Sequence, residues 1–238
     1  MSRALGILQL VTPATPGITA SAVAARFGYS LPTAHRLLRA LEAEGFLVFD
    51  RASHEFRPGP EVLRLTGLML DDLIPRVYAS LARLRDLTGE SATLHWRLGD
   101  ARSAVHELPS TQPLHIAVGL GRRYPLTRGA AGKALLSVAS DADVQRVLAD
   151  PGTVASAAGP TALLAELRAV RRDGVARSQG ENIPGAASVA VPIEWVYRGF
   201  AALGVTGPAE RWGPEQQDTA ARALLAEVRG LRESTTVT

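Results

Sequence analysis

Between Ser30 and Leu47 the chain reads SLPTAHRLLRALEAEGFL, and its apolar positions recur at helical spacing. Ala34, Leu37, Leu38 and Leu41 form one stripe, while Pro32, Thr33, His35, Arg36 and Arg39 gather on the opposite face. Ser30 is placed to cap this helix, Pro32 is tolerated in its first turn, and Gly45 ends it. Upstream, Ala4, Leu5, Ile7, Leu8 and Val11 predict a helix from Arg3 to Val11, closed by Pro13, Pro16 and Gly17. Thr19 caps a second helix, Ala20 to Phe27, with Val23, Ala24 and Phe27 inward and Gly28 as its stop. Downstream, two β-like runs, Phe46 to Asp50 and Glu55 to Arg57, are joined by a polar turn at Ala52 and Ser53. Three short helices and a hairpin in this order predict a winged helix-turn-helix, with Ala34 to Leu41 as the recognition segment.

Pro58, Gly59 and Pro60 then break the chain, and a helical pattern runs from Glu61 to Leu73. Its Val62, Leu63, Leu65, Leu68, Met69, Leu70 and Leu73 are more apolar than a solvated linker needs, which favours pairing with a second copy. A further helix, Arg76 to Leu87, follows Pro75. From Ser91 the pattern becomes mixed. Strands are expected at Ala92 to Arg97, Arg102 to Leu108 and Leu114 to Val118, with Gly99-Asp100 turning the first pair. Helices follow at Gly129 to Ser137 and Asp141 to Leu148, then a loose stretch from Pro151 to Pro160 and a helix from Thr161 to Arg172. Strands Val175 to Gln179, Ser188 to Glu194 and Phe200 to Thr206 precede a last helix, Pro214 to about Arg232. The fold class is α+β: residues 1–60 a winged helix-turn-helix, 61–75 a linker helix, and 76–238 an α/β sensor domain with a ligand cup between sheet and loops.

The 238 residues suffice for two real cores, and no apolar run reaches membrane-spanning length. The N-terminus enters an amphipathic pattern with no signal peptide, so a cytoplasmic protein without membrane contact is expected. The absence of cysteine excludes disulfides, thiolate catalysis and cysteine-bound metals. Lys133 is the only lysine, and the net charge of +3 permits nucleic-acid binding without arguing for it. Through Leu63, arginines 3, 26, 36, 39, 51 and 57 face acids 42, 44, 50, 55 and 61, so DNA binding must rest on local placement and on more than one copy.

Enzymatic readings fail on spacing. Gly129 to Lys133 resembles the end of a phosphate loop, but Thr127 stands where its first glycine belongs and Ala134 where magnesium needs a hydroxyl. Gly119-Leu-Gly121 lacks a third glycine. His95, His106 and His115, with Glu107, match no compact zinc motif, and Ser178 and Ser188 have no His/Asp partner at motif spacing. No catalytic residue, metal or cofactor is expected.

Taken with ALGIL near the start, TAHRLLRALEAEGFL at Thr33 to Leu47 and FRPG at Phe56 to Gly59, the second half supplies a consistent set of motifs. These are TGE at Thr88 to Glu90, GRRYPL and GAAGKALL between Gly121 and Leu136, PGAASVAVPI at Pro184 to Ile193, and GVTGPAER at Gly204 to Arg211. Along essentially its whole length the chain resembles the IclR family of transcriptional regulators. The resemblance implies a winged helix that binds double-stranded operator DNA, a GAF-like domain that binds a small effector, and homodimers, often paired as tetramers. It places DNA contacts at Ser30, Thr33, His35, Arg36 and Arg39, with Arg57 of the wing on the backbone.

The family's effector loop corresponds to Pro125 to Ala134, where Thr127 replaces a usual histidine and Arg128 adds a cation. Gly129, Ala130 and Ala131 would offer backbone N–H groups to a carboxylate. Ser178 stands where an acid is common and Ser188 where a cysteine is common; Gly204 and Thr206 take positions often held by serines, and Ile116 and Tyr124 match apolar wall positions. An organic acid, aliphatic or aromatic and larger than two or three carbons, is the expected effector. The alternative is a ligand sensor acting through protein partners, since Leu31 and Glu55 replace commonly basic positions.

Overall fold

A computed structural model describes residues 2–11, 17–70, 73–149, 159–195 and 199–233 of the chain, and divides it into two compact units, Met1–Pro75 and Arg76–Thr238. Pro13 and Pro16, the stretch 150–158, the tail from 234, and the side chains of Leu68, Met69, Leu70 and Leu73 lie outside the described residues.

The first unit contains α1 (Ser2–Leu8), α2 (Ala20–Phe27), α3 (Leu31–Ala43), strands β1 (Leu47–Asp50) and β2 (Glu55–Pro58), and α4 (Pro60–Leu70). The first helix ends at Leu8, short of Val11, where Leu10 and Val11 turn their N–H groups back to Ile7 and Leu8. Thr19 caps α2 by accepting the Ala22 N–H at 3.1 Å, and Gly28 closes it at φ 67°, a left-handed value that glycine adopts without strain. Ser30 stands at the N-cap of α3 but its hydroxyl bonds Thr33 Oγ1 at 2.9 Å and no backbone N–H, so the expected side-chain cap is absent.

Ala34, Leu38 and Leu41 are buried with Ile7, Val23, Leu47 and Phe56 in one core, with Leu37 packed at its margin. The hairpin pairs Val48 with Arg57 and Phe49 with Phe56, and the outer edge of β2 bonds Ile18 in both directions at 2.9 and 2.8 Å. On leaving the hairpin, Gly59 donates to Phe46 O and Glu61 to Gly45 O, stitching the chain to the end of α3. A Cβ at Gly59 would overlap the Gly45 carbonyl.

The second unit is built on a six-stranded antiparallel sheet in the order β5-β4-β3-β8-β7-β6. Its strands are β3 (Ser91–Leu98), β4 (Ala101–Leu108), β5 (Arg123–Pro125), β6 (Ala176–Gln179), β7 (Ala186–Trp195) and β8 (Gly199–Pro208). The helices are α5 (Leu73–Thr88), α6 (Ala130–Ser137), α7 (Asp141–Ala149), α8 (Gly159–Asp173) and α9 (Pro214–Glu233). Pro75 lies in the first turn of α5, where its missing N–H costs no helical bond. Every residue of α6 is buried, as a helix held between a sheet and α8 must be. Its close approach depends on small residues: Ala176, Ala190 and Ala202 of the sheet meet Ala130, Ala131 and Ala134. The alternate positions of β7 and β8, among them Val191, Leu203 and Val205, are buried on the strands that α9 covers.

One expected strand is absent. Leu114 to Val118 runs as irregular chain, and β5 takes the sheet edge instead. Side chains occupy the backbone groups that a ladder would use: Glu107 accepts the Val118 and Gly119 N–H groups at 2.8 and 3.2 Å, Ser91 Oγ donates to Ile116 O, and Tyr124 Oη donates to Val118 O. Among the described residues no helix is long and apolar enough to cross a membrane.

Candidate functional site

In the first unit α3 presents Thr33, His35, Arg36 and Arg39 away from the core, with Thr33 half-buried and the others exposed. These four share a face as their spacing requires, but their cations differ in availability. Arg39 donates to Glu42 at 2.6 Å and lies over the rings of Phe49 (4.7 Å) and Phe56 (5.4 Å), tying α3 to the hairpin. The Arg39 hydrogen bond holds the Glu42 carboxyl below the usual carboxylate range. Arg57 sits between Asp50 (3.4 Å) and Glu55 (3.3 Å), so its charge is already compensated within the hairpin. Arg36 has no ion pair among the described residues, only a 3.4 Å bond to Thr33 Oγ1. His35 stands edge-on to Phe56.

Sequence reasoning passed over Arg51. It is exposed in the hairpin turn and forms no ion pair among the described residues, while Asp50 fixes that turn by accepting from Ala52 N and Ser53 Oγ, both at 2.9 Å. The turn's exposed arginine was a signal in the sequence; the pairing of Arg57 was not.

In the second unit a cavity of about 40 Å³ lies between the sheet, the start of α6 and the β6–β7 loop. It brings together Tyr124, Ala130, Ala131, Ser178, Ser188, Gly204 and Thr206 of the expected set. Ser178 and Ser188 face each other across β6 and β7, their hydroxyls 2.8 Å apart. Gly129 adjoins the cavity as the N-cap of α6 rather than lining it. Ile116 and Arg128 do not line it: Ile116 belongs to the irregular segment held by Ser91, and Arg128, half-buried, lies outside the cavity wall.

The cavity's cation is Arg102 instead, from β4. It is 4 % exposed, its guanidinium lies 5.0 Å from the Tyr124 ring centre, and its Nη1 donates to His95 Nδ1 at 2.9 Å. Arginine has only donors, so His95 Nδ1 accepts and the proton resides on Nε2. Burial lowers the Arg102 pKa to about 10, still above neutrality, so the group is charged there. Its Nε is buried with no hydrogen-bond partner. Arg102, His95 and Tyr124 line the same pocket as Gly204, whose own α-carbon faces Thr93, Val189 and Ala190.

On the loop side, Glu181 Oε2 accepts the Gly129 N–H at 2.7 Å and Glu181 Oε1 accepts from Lys133 Nζ at 2.6 Å. Lys133, 4 % exposed, also donates to Glu166 at 2.7 Å. A Cβ at Gly129 would overlap the Asn182 amide and crowd the Arg102 guanidinium, so the loop and the sheet cation both close on that glycine.

Burial, with Arg102 adding to it, drives the His95 pKa well below 6.5. The unfolded chain therefore binds a proton here that the folded chain refuses. This contribution leaves stability intact above pH 6.5 and erodes it as pH falls below that value. Denaturant titrations between about pH 5 and 7 should show a shallower acid-side loss for His95→Gln than for wild type, and parallel curves would refute the assignment.

The helix-turn-helix and the cavity-bearing sheet both have counterparts in known proteins. The family model of the IclR helix-turn-helix domain matches residues 1–51, and that of the bacterial transcriptional regulator IclR C-terminal domain matches residues 68–232. The chain is 29% identical over 227 residues to the HTH-type transcriptional regulator TtgV of Pseudomonas putida, covering 94% of this chain and 87% of that protein. It superposes with a TM-score of 0.78 on a putative IclR regulator from Silicibacter sp., 29% identical, covering 98% of this chain and 94% of that one. An IclR homologue from Microbacterium hydrocarbonoxydans, complexed with 4-hydroxybenzoate, matches in fold at 22% identity and a TM-score of 0.77, with 96% and 98% covered. With a DNA-binding helix-turn-helix followed by an effector-binding C-terminal domain, the chain belongs to the IclR family of transcriptional regulators.

Proposed function

We propose that this regulator binds an organic carboxylate in the cavity beneath α6, and that the bound acid alters operator binding by the winged helix. The observation that carries the reading is a buried guanidinium, Arg102, lining a pocket of mixed polar and apolar walls with a donor left unused. An apolar pocket or a compensated one would not call for an anion. The Microbacterium homologue in complex with 4-hydroxybenzoate is a relative that holds an acid. A rigid cavity that admits benzene measures about 150 Å³. The about 40 Å³ here therefore favours a compact aliphatic acid over an aromatic one.

On DNA, Thr33, His35 and Arg36 of α3 meet base edges and phosphates, flanked by Ser30 and Arg39. In the wing, Arg57 steadies the hairpin and Arg51 at the tip meets the backbone. A winged helix of this size spans one half-site, so the operator is read by a homodimer or a tetramer. Exposed Leu63 and Leu65 on α4, beside a groove lined by Leu5, Leu8 and Phe46, supply an apolar surface for a second copy. The acid acts by binding two arrangements of the protein unequally.

Fluorescence anisotropy on the upstream intergenic DNA, across a salt series, tests the reading. Expected are competitor-resistant binding that weakens steeply with salt, and a shift of the isotherm on adding an acid that also raises the melting temperature. Sequence-indifferent binding that no acid moves would favour the sensor acting through protein partners.

A further inference from the structure

Resting on the reading that the cavity binds an acid, we infer that the ligand's carboxylate is anchored by Arg102 of β4, and not by the N-terminus of α6. The start of α6 is the obvious anion site of this fold: a glycine-led helix whose first N–H groups have no helical partner. In this chain the N–H of its cap residue, Gly129, is already taken. Glu181 places one carboxylate oxygen on the Gly129 N–H and the other on Lys133 Nζ. A second carboxylate brought to the same turn meets that negative charge at close range, and Lys133 is already shared with Glu166.

Arg102 is the complementary case. It is buried, it forms no close ion pair among the described residues, its hydrogen-bonded side-chain partner is a neutral histidine, and the Glu181 carboxylate acts on it only through space. Burying a guanidinium with an unused donor is costly unless an anion completes it. His95 and Tyr124 hold the group from two sides, so the guanidinium is positioned before any ligand arrives. Glu181 keeps a different role: as part of the β6–β7 loop it closes the cavity on the side away from the sheet. The occupant that fits is a two- to four-carbon monocarboxylate. Its charge lies on Arg102, and any hydroxyl reaches the Ser178 and Ser188 hydroxyls or Thr206, which also line the cavity.

The test is calorimetric titration of the full chain with acetate, propionate, butyrate and their 2-hydroxy analogues, each beside its neutral amide. Wild type is expected to bind at least one acid and not its amide. Arg102→Gln should weaken that acid by about tenfold to a hundredfold, the value of a charge-assisted pair, with Arg102→Lys intermediate. Glu181→Gln should bind as tightly as wild type or tighter. Thermal unfolding without ligand guards against a folding artefact: Arg102→Gln should melt close to wild type, because it also removes an unsatisfied buried charge. An acid that binds Arg102→Gln as well as wild type, or is lost only in Glu181→Gln, overturns the anchor while leaving the acid-binding reading intact. Wild type that binds none of the acids, or binds the amides equally, overturns both.

Discussion

Arg36→Ala is expected to weaken operator binding by roughly tenfold to a hundredfold for each half-site contact, while the N-terminal unit melts as before. The asymmetry follows from the local geometry of α3. Arg36 is exposed and unpaired apart from a long bond to Thr33, so its removal disturbs nothing in the fold. Arg39, three residues on, is a strut: its substitution releases Glu42 and uncovers Phe49 and Phe56, so Arg39→Ala should lower both affinity and melting temperature. The salt series separates two roles for Arg36. A phosphate contact makes the slope of log affinity against log salt shallower by about 0.9, and a base contact relaxes discrimination at one position with the slope unchanged. Retained affinity in Arg36→Ala would remove Arg36 from the DNA interface.

Phe56→Ala should remove about 3–5 kcal/mol from the N-terminal unit, a large share of the ~5–15 kcal/mol a small domain holds. The ring is 1 % exposed and packs against Phe49 and His35, with Arg39 above it. Its backbone N–H and C=O join the hairpin to Ile18 on the other edge, and loss of the ring leaves those two bonds unsupported. Calorimetry should show an early transition for this unit with the later transition of the sheet-bearing unit unmoved. A single unshifted endotherm would mean that the hairpin is not part of the unit's cooperative core.

Much of this was legible in sequence because the punctuation was strong. Gly28, Gly45 and the Pro58–Pro60 stop sit between apolar runs of clear period, and the helices and hairpin they separate are where the pattern puts them. Leu114 to Val118 has the composition of a strand, but its backbone partners are the side chains of Glu107, Ser91 and Tyr124, distant contacts that periodicity does not encode. The cavity's small walls, Ala130, Ala131 and Gly204, could be read by matching motifs. Its charges could not. Arg128 adjoins the motif and looked like the cation, whereas Arg102 is one residue of strand β4, ARSAVHEL, and is buried beside Tyr124, its partner on β5. Glu181 was hidden for the same reason: its partner, Lys133, is 48 residues away in sequence. Lys133 did leave a trace as the only lysine among the chain's 26 basic residues.

The division of the cavity's charge between two kinds of backbone has a consequence for substitution. Arg102 is held in a central stretch of sheet, where a substitution must satisfy His95, Tyr124 and two strand ladders at once. Glu181 is carried by a loop between Gly180 and Gly185, both at positive φ, where replacement disturbs little besides Lys133 and Gly129. Exchange of the loop anion therefore touches fewer contacts than exchange of the sheet cation. Changes at position 181 would retune how the loop closes on Gly129 and Lys133, leaving in place the cation that meets the ligand.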